Sequence, residues 1–179
     1  RLRDAFSERR FDTDYGSFRT TLLVVGMLLL GGSRLSHLRV LDRDPLFLRF
    51  VRLRRLPDER TLSRGLKSLT APYCNQLNEL LRDVAYQTCE EISLARATIE
   101  FDGTVLRSSE CVDGAERGFS PHHPKDPSYY PLTAHLAQTG QLLGVWNRPG
   151  NVHDSVGAAE HLAALLADVR RRLGSIPLE

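Results

Sequence analysis

The stretch ATIEFDGT, residues 97–104, marks the point where helical sequence patterns give way to strand patterns. Its first three apolar residues alternate with polar ones, which predicts a β-strand with one face against a core. Asp102 then lies on the opposite face at the end of the strand, and Gly103 follows it directly. A carboxylate in this position suits a metal or acid–base site, although Asp-Gly at a strand end is also ordinary turn chemistry.

Composition indicates an ordinary globular protein with one large or two small domains, since 41% of the 179 residues are hydrophobic and 26% are charged. The three cysteines, Cys74, Cys89 and Cys111, are odd in number and widely spaced, which argues against a disulfide framework and favours a reducing compartment. The apolar run at 22–30 is much shorter than the roughly 20 residues of a membrane span. We therefore expect a soluble, cytoplasmic protein.

The part of the chain before the strand is predicted to be helical. A helix from Ser17 to about residue 30 is apolar nearly all round, so we expect it to be buried, and two glycines end it. Short helices follow, one of them capped by Asp44 with a proline at its first position. A longer helix is predicted at 72–91, with one leucine-rich face for packing.

One local cluster of positive charge stands out in a chain whose formal net charge is only +2. Between residues 49 and 67, seven basic side chains face only two acidic ones. Leucine spacing predicts two short helices that meet across a tight turn near Pro57, a shape that resembles a helix-turn-helix. The cluster is either a phosphate-contacting surface or a solvated face of a small helical domain. Its members are Arg49, Arg52, Arg54, Arg55, Arg60, Arg64 and Lys67.

After the strand, residues 106–128 read as a long loop, which is typical of functional segments. A hairpin follows, with strands at 129–137 and 141–147 joined by a tight turn. Asp154 or Ser155 is expected to cap a last helix with one apolar stripe. Scattered histidines and Cys111 lack the spacing of a zinc site.

Four motifs, in this order and spacing, resemble the DDE transposases of bacterial insertion sequences. They are 102–105 (DGTV), 114–119 (GAERGF), 128–132 (SYYPL) and 148–154 (RPGNVHD). Two upstream segments, 56–57 (LP) and 61–64 (TLSR), look like the helical region that precedes the catalytic domain in that family. The resemblance therefore covers nearly the whole chain.

The resemblance implies an α+β protein with a helical, DNA-binding domain at 1–95 and the N-terminal part of a ribonuclease-H-like domain at 96–179. That part would hold a three-stranded antiparallel sheet and a crossover helix, with a fourth strand beside the first. Asp102 would be the first of three carboxylates that hold two Mg²⁺ or Mn²⁺ ions, which activate the attacking oxygen and stabilise the leaving one. The partner would be double-stranded DNA at the ends of the element.

The other two acids of the family lie beyond residue 179, so the resemblance predicts an incomplete metal site and a truncated chain that is inactive alone. Asp154 is a weaker candidate ligand, because its position favours a helix cap. Without a further strand, residues 97–102 would form a bare sheet edge, which predicts instability or a homo-oligomer. The alternative function is a non-catalytic DNA-binding or interaction module, the remnant of an insertion element.

Overall fold

The computed structural model describes residues 15–108, 112–118, 126–174 and 176–178. In these residues the protein has an α+β fold with six α-helices and two three-stranded antiparallel sheets. It divides into two compact units, Arg1–Gln76 and Leu77–Glu179, and the division falls inside a helix. The domain boundary that we predicted after residue 95 lies between the end of the long helix and the first strand. It stays a prediction.

The elements follow one another in two groups. The helices are α1 (Gly16–Leu29), α2 (Leu38–Leu41), α3 (Pro45–Val51), α4 (Glu59–Lys67), α5 (Ala71–Glu91) and, after the strands, α6 (Ala158–Leu173). A short 3₁₀ turn, Leu35–His37, precedes α2. The strands are β1 (Ile99–Gly103), β2 (Leu106–Arg107), β3 (Glu116–Arg117), β4 (Pro127–Tyr129), β5 (Leu132–Leu136) and β6 (Gln141–Trp146).

Helix α1 is buried on one face only, so the prediction of a helix buried all round is wrong. Leu23 and Met27 belong to the core of the first unit, whereas Leu29 is 78% exposed. The Phe47 and Phe50 rings of α3 lie against Gly26, where an added Cβ would be 2.8 Å from the Phe50 ring. A glycine is needed there because the two helices approach closely at this point.

The short helices begin at capping residues. The predicted Asp44 cap is confirmed, since its carboxylate accepts a hydrogen bond of 2.8 Å from the Leu46 N–H. Asp58 caps α4 in the same way, and the hydrogen bond from the Thr61 backbone N–H lowers the pKa of Asp58.

The predicted tight turn between two basic helices is wrong, because residues 52–58 separate α3 from α4. Arg52 ends α3 with a left-handed backbone, φ 58°. Leu56 holds the segment 52–58 in place. Its side chain is buried, and its N–H donates to the Asp42 carboxylate at 2.8 Å.

The larger sheet of the second unit has the order β1-β5-β6, with both pairs antiparallel. The predicted β5–β6 hairpin and its turn are confirmed. The predicted strand at 129–137 is two strands, however, because β4 ends at Tyr129 and β5 begins at Leu132. Apolar residues of this sheet pack against α5 and α6 around Ala85, Leu136 and Leu165.

The smaller sheet has the order β2-β4-β3. Strands β2 and β3 and the start of β4 lie within 106–128, the segment predicted as a long loop. That prediction is wrong for the residues that form these strands. The sheet depends on two glycines: a Cβ on Gly118 would overlap the Gly150 carbonyl oxygen, and one on Gly150 would overlap the Ser128 Oγ. Close backbone approach of this kind excludes any larger residue.

Helix α6 begins after Gly157, which has a φ of 73° and no side-chain cap, so the predicted caps Asp154 and Ser155 are wrong. After the helix, Leu178 forms a parallel bridge with Ala97, and the Ala97 N–H donates to the Pro177 carbonyl oxygen at 3.0 Å. The edge expected to be bare at 97–102 is therefore covered at its first residue.

At the opposite edge of the larger sheet, Asn78 of α5 binds the backbone of Val145 in β6. The Asn78 carboxamide donates to the Val145 carbonyl oxygen at 3.0 Å and accepts from the Val145 N–H at 2.9 Å. Asn78 is buried, so it satisfies two backbone groups as a neighbouring strand would.

We predict that Asn78→Ala destabilises the protein by about 1–3 kcal/mol, because it leaves a buried donor and acceptor unpaired. The measurement is urea unfolding followed by circular dichroism. Asn75→Ala, on the exposed side of the same helix, is the control and should change stability by less than about 0.5 kcal/mol. Equal effects of the two substitutions would contradict the assigned role of Asn78.

Candidate functional site

Asp102 lies near the end of β1 on the exposed face of the strand, as the sequence predicted. The antiparallel register places it opposite Thr133 of β5, whose hydroxyl donates to the Asp102 carbonyl oxygen at 3.2 Å. The Asp102 carboxylate accepts a hydrogen bond of 2.8 Å from the Gly103 N–H. Because Phe101 packs toward the core, the alternation of the strand holds the Asp102 carboxylate outward.

The ring of Tyr130 covers the residue that follows Asp102. A Cβ on Gly103 would lie 2.6 Å from Tyr130 Cζ and 2.7 Å from its hydroxyl oxygen, so the ring touches the backbone there. The hydrogen bond between the Tyr130 hydroxyl and the Asp154 carboxylate raises the pKa of Tyr130. Burial and the negative charges of Asp154 and Asp102 act in the same direction. The two carboxylates therefore lie near the same hydroxyl group.

The Arg148 side chain connects the segments that carry Tyr130 and Asp154. Its Nε donates to the Tyr130 carbonyl oxygen at 3.1 Å, and its Nη1 donates to the carbonyl oxygens of Asp154 and Val156 at 3.1 and 2.8 Å. Its Cζ lies 5.2 Å from the centroid of the Tyr130 ring. We call Asp102, Gly103, Tyr130, Arg148 and Asp154 the Asp102 cluster.

The metal expected from the resemblance has an incomplete ligand set in the described residues. No group of three or more His, Cys, Asp or Glu side chains that could hold a metal ion occurs in them. Hard divalent cations prefer several oxygen ligands, so Asp102 and Asp154 alone do not fit a resident metal centre. The cluster presents acidic groups at the surface, which attract cations and repel phosphate.

The seven basic residues of the predicted DNA surface are all exposed. Arg60, Arg64 and Lys67 lie on α4 at helical spacing, so they share one outward stripe. Arg49 is on α3, and Arg52 stands over the Phe18 ring with its Cζ 5.9 Å from the centroid. The others lie in the connection between these helices. The structure thus brings three of the seven residues into one row.

A cavity of about 570 Å³ lies beside the start of α4. Three arginines and three acidic residues line it, so their charges balance. Two of the acids, Asp42 and Asp58, already accept backbone hydrogen bonds, and the third, Glu59, pairs with Arg39 at 2.8 Å. Nothing in this arrangement selects an anionic ligand.

Comparisons with known proteins give no family. No protein-family model matches the chain, and neither a curated protein nor a solved structure matches it. In the described part of the chain, no helix is both long enough and apolar enough to cross a membrane.

Tyr130 and Arg148 are the cluster members whose roles the sequence did not reveal. Both lie in the motifs 128–132 and 148–154, so the signal for them was present. Their contact depends on the pairing of Tyr130 with residues near the end of β6, where the Tyr130 N–H donates to the Arg148 carbonyl oxygen at 2.7 Å. A linear pattern does not encode that long-range pairing.

We predict that Gly103→Ala destabilises the protein by about 1–3 kcal/mol, because the new methyl group overlaps the Tyr130 ring. Thermal and urea unfolding measure the change. Gly65→Ala is the matched control: it lies inside α4, its Cβ would be 3.7 Å from Thr20, and it should stabilise by up to about 1 kcal/mol. A neutral Gly103→Ala would mean that the ring does not rest on this residue.

Proposed function

We propose that the chain carries the DNA-binding helices and the first catalytic strand of a DDE-type transposase with a ribonuclease-H-like catalytic domain. In this proposal the substrate is double-stranded DNA, bound at the ends of a mobile element. Asp102 supplies the first carboxylate for strand cleavage and transfer. In the resembled family the other two acids, and with them the Mg²⁺ or Mn²⁺ ions, belong to segments that follow the crossover helix.

The observation that carries the proposal is the order of the elements around β1. Asp102 stands on the exposed face of this strand. After the smaller sheet, β5 pairs with β1 and β6 pairs with β5, both antiparallel, and helix α6 follows. Leu178 returns parallel to Ala97 on the free side of β1. This is the order expected of the family, in which the second acid lies on the returning strand.

The register of the parallel bridge between Ala97 and Leu178 also supports the proposal. Asp102 is five positions after Ala97, so a strand continuing from Leu178 would bring its fifth further residue beside Asp102. Parallel neighbours of this kind lie about 4.8 Å apart. A carboxylate at that position would be close enough to share a cation with Asp102.

The exposed row on α4 supports the DNA-binding part of the proposal. Its three cations occur at one-turn intervals, and the helix buries Leu62 on its other side. Lys and Arg in such a row can contact successive phosphates of one DNA strand.

A second candidate function is a DNA-binding module without catalysis. The incomplete ligand set of the described residues favours it, since a single carboxylate on β1 cannot hold two metal ions. Both candidates need the row on α4, and they differ in whether Asp102 has a role.

The first experiment tests DNA binding, which both candidates share. We expect the chain to bind duplex DNA with an affinity that falls steeply as salt rises. Replacing Arg60, Arg64 and Lys67 by Ala should reduce the slope of log K against log salt by about 0.9 for each lost phosphate contact. Fluorescence anisotropy with labelled duplex DNA measures the slope.

Arg170→Ala is the control for this experiment, because Arg170 is an exposed cation on α6, in the second unit. It should leave the slope unchanged, and circular dichroism should show that every variant is folded. A slope that is the same in the triple variant and the wild type would place the DNA surface elsewhere. Failure of the wild type to bind DNA would contradict both candidate functions.

A further inference from the structure

Arg148 is unusual among the charged residues because it is only 7% exposed. Its guanidinium donates hydrogen bonds to backbone carbonyl oxygens. Its Nη2 is buried and has no hydrogen-bond partner in the described residues. Burial of a cation is unfavourable unless its contacts are specific, so the position needs a reason beyond surface charge.

The three carbonyl oxygens that Arg148 binds come from two separate segments. One belongs to Tyr130, which connects β4 with β5, and the others belong to residues 154 and 156, which precede α6. Only a planar fork of several donors can hold both segments at once, and this is the property that distinguishes Arg from Lys.

Both segments contribute to the surface around Asp102. The Tyr130 ring lies against Gly103, and the Arg148 Cζ lies 5.2 Å from the centroid of the same ring. The second segment carries Asp154, whose carboxylate interacts with the Tyr130 hydroxyl. Release of Arg148 would therefore free Tyr130 and Asp154 together.

We propose that Arg148 is a positioning residue of the Asp102 cluster: it fixes Tyr130 and the 154–156 segment and so sets the surface on which the Asp102 carboxylate acts. The part of this inference that concerns DNA chemistry rests on the function proposed above. The positioning itself concerns only the geometry of the cluster, so it is tested without DNA.

The experiment uses the nuclear magnetic resonance signals of the Gly103 α-protons in the whole chain. Because the Tyr130 ring touches this residue, its ring current displaces those signals in the wild type. Tyr130→Phe keeps the ring and should keep most of the displacement, whereas Tyr130→Leu removes it and defines the zero point. Arg148→Lys keeps the positive charge but not the fork, and should lose most of the displacement.

An Arg148→Lys variant that is folded and retains the wild-type Gly103 signals would overturn the proposal. If that variant does not fold, the wild type supplies the second measurement. The Arg148 Nε–H should exchange slowly with solvent and show a scalar coupling to the Tyr130 carbonyl carbon across the hydrogen bond. A rapidly exchanging Nε–H without that coupling would equally overturn it. Neither measurement uses DNA, so a failure of the chain to bind DNA and a failure of positioning give different results.

Discussion

The pairing of β1 with β5 is the constraint on which the rest of the second unit depends. Its register, from Ile99 opposite Leu136 to Gly103 opposite Leu132, decides which side chains of β1 face the core. Phe101 packs near Trp146, with 5.6 Å between the ring centroids, and Asp102 then faces outward. A slip of one residue would exchange the two faces and bury the carboxylate, which is strongly unfavourable.

The same pairing arranges the cluster around Asp102. It brings the start of β5 beside the end of β1, so Tyr130 reaches Gly103, and the β5–β6 hairpin returns Arg148 to Tyr130. Gly103 permits the approach of the Tyr130 ring, because a Cβ there would lie 2.6 Å from Tyr130 Cζ. The cluster therefore depends on backbone proximity as much as on side-chain chemistry.

Local patterns predicted the elements that local physics determines. Alternation identified β1 and the hairpin, helical spacing identified α4, α5 and α6, and the Asp44 cap was correct. The errors arose where distant contacts decide. Strand β4 separates from β5 because it pairs with β2 and β3, and Asp154 interacts with Tyr130 rather than capping α6. The exposed position of Asp102 near the end of β1 was predicted from the sequence, but its neighbours Tyr130 and Arg148 were not.

We proposed that Asp102 acts in cutting DNA, and the decisive test uses a chain that also carries the second and third acids of the resembled family. The measurement is Mn²⁺-dependent nicking of duplex DNA by this longer chain and by its Asp102→Asn variant, with DNA binding measured for both. We expect nicking by the first protein, loss of nicking in the variant, and equal DNA binding by the two, because the basic row on α4 is intact. Nicking that persists in Asp102→Asn would show that Asp102 has no part in the cleavage.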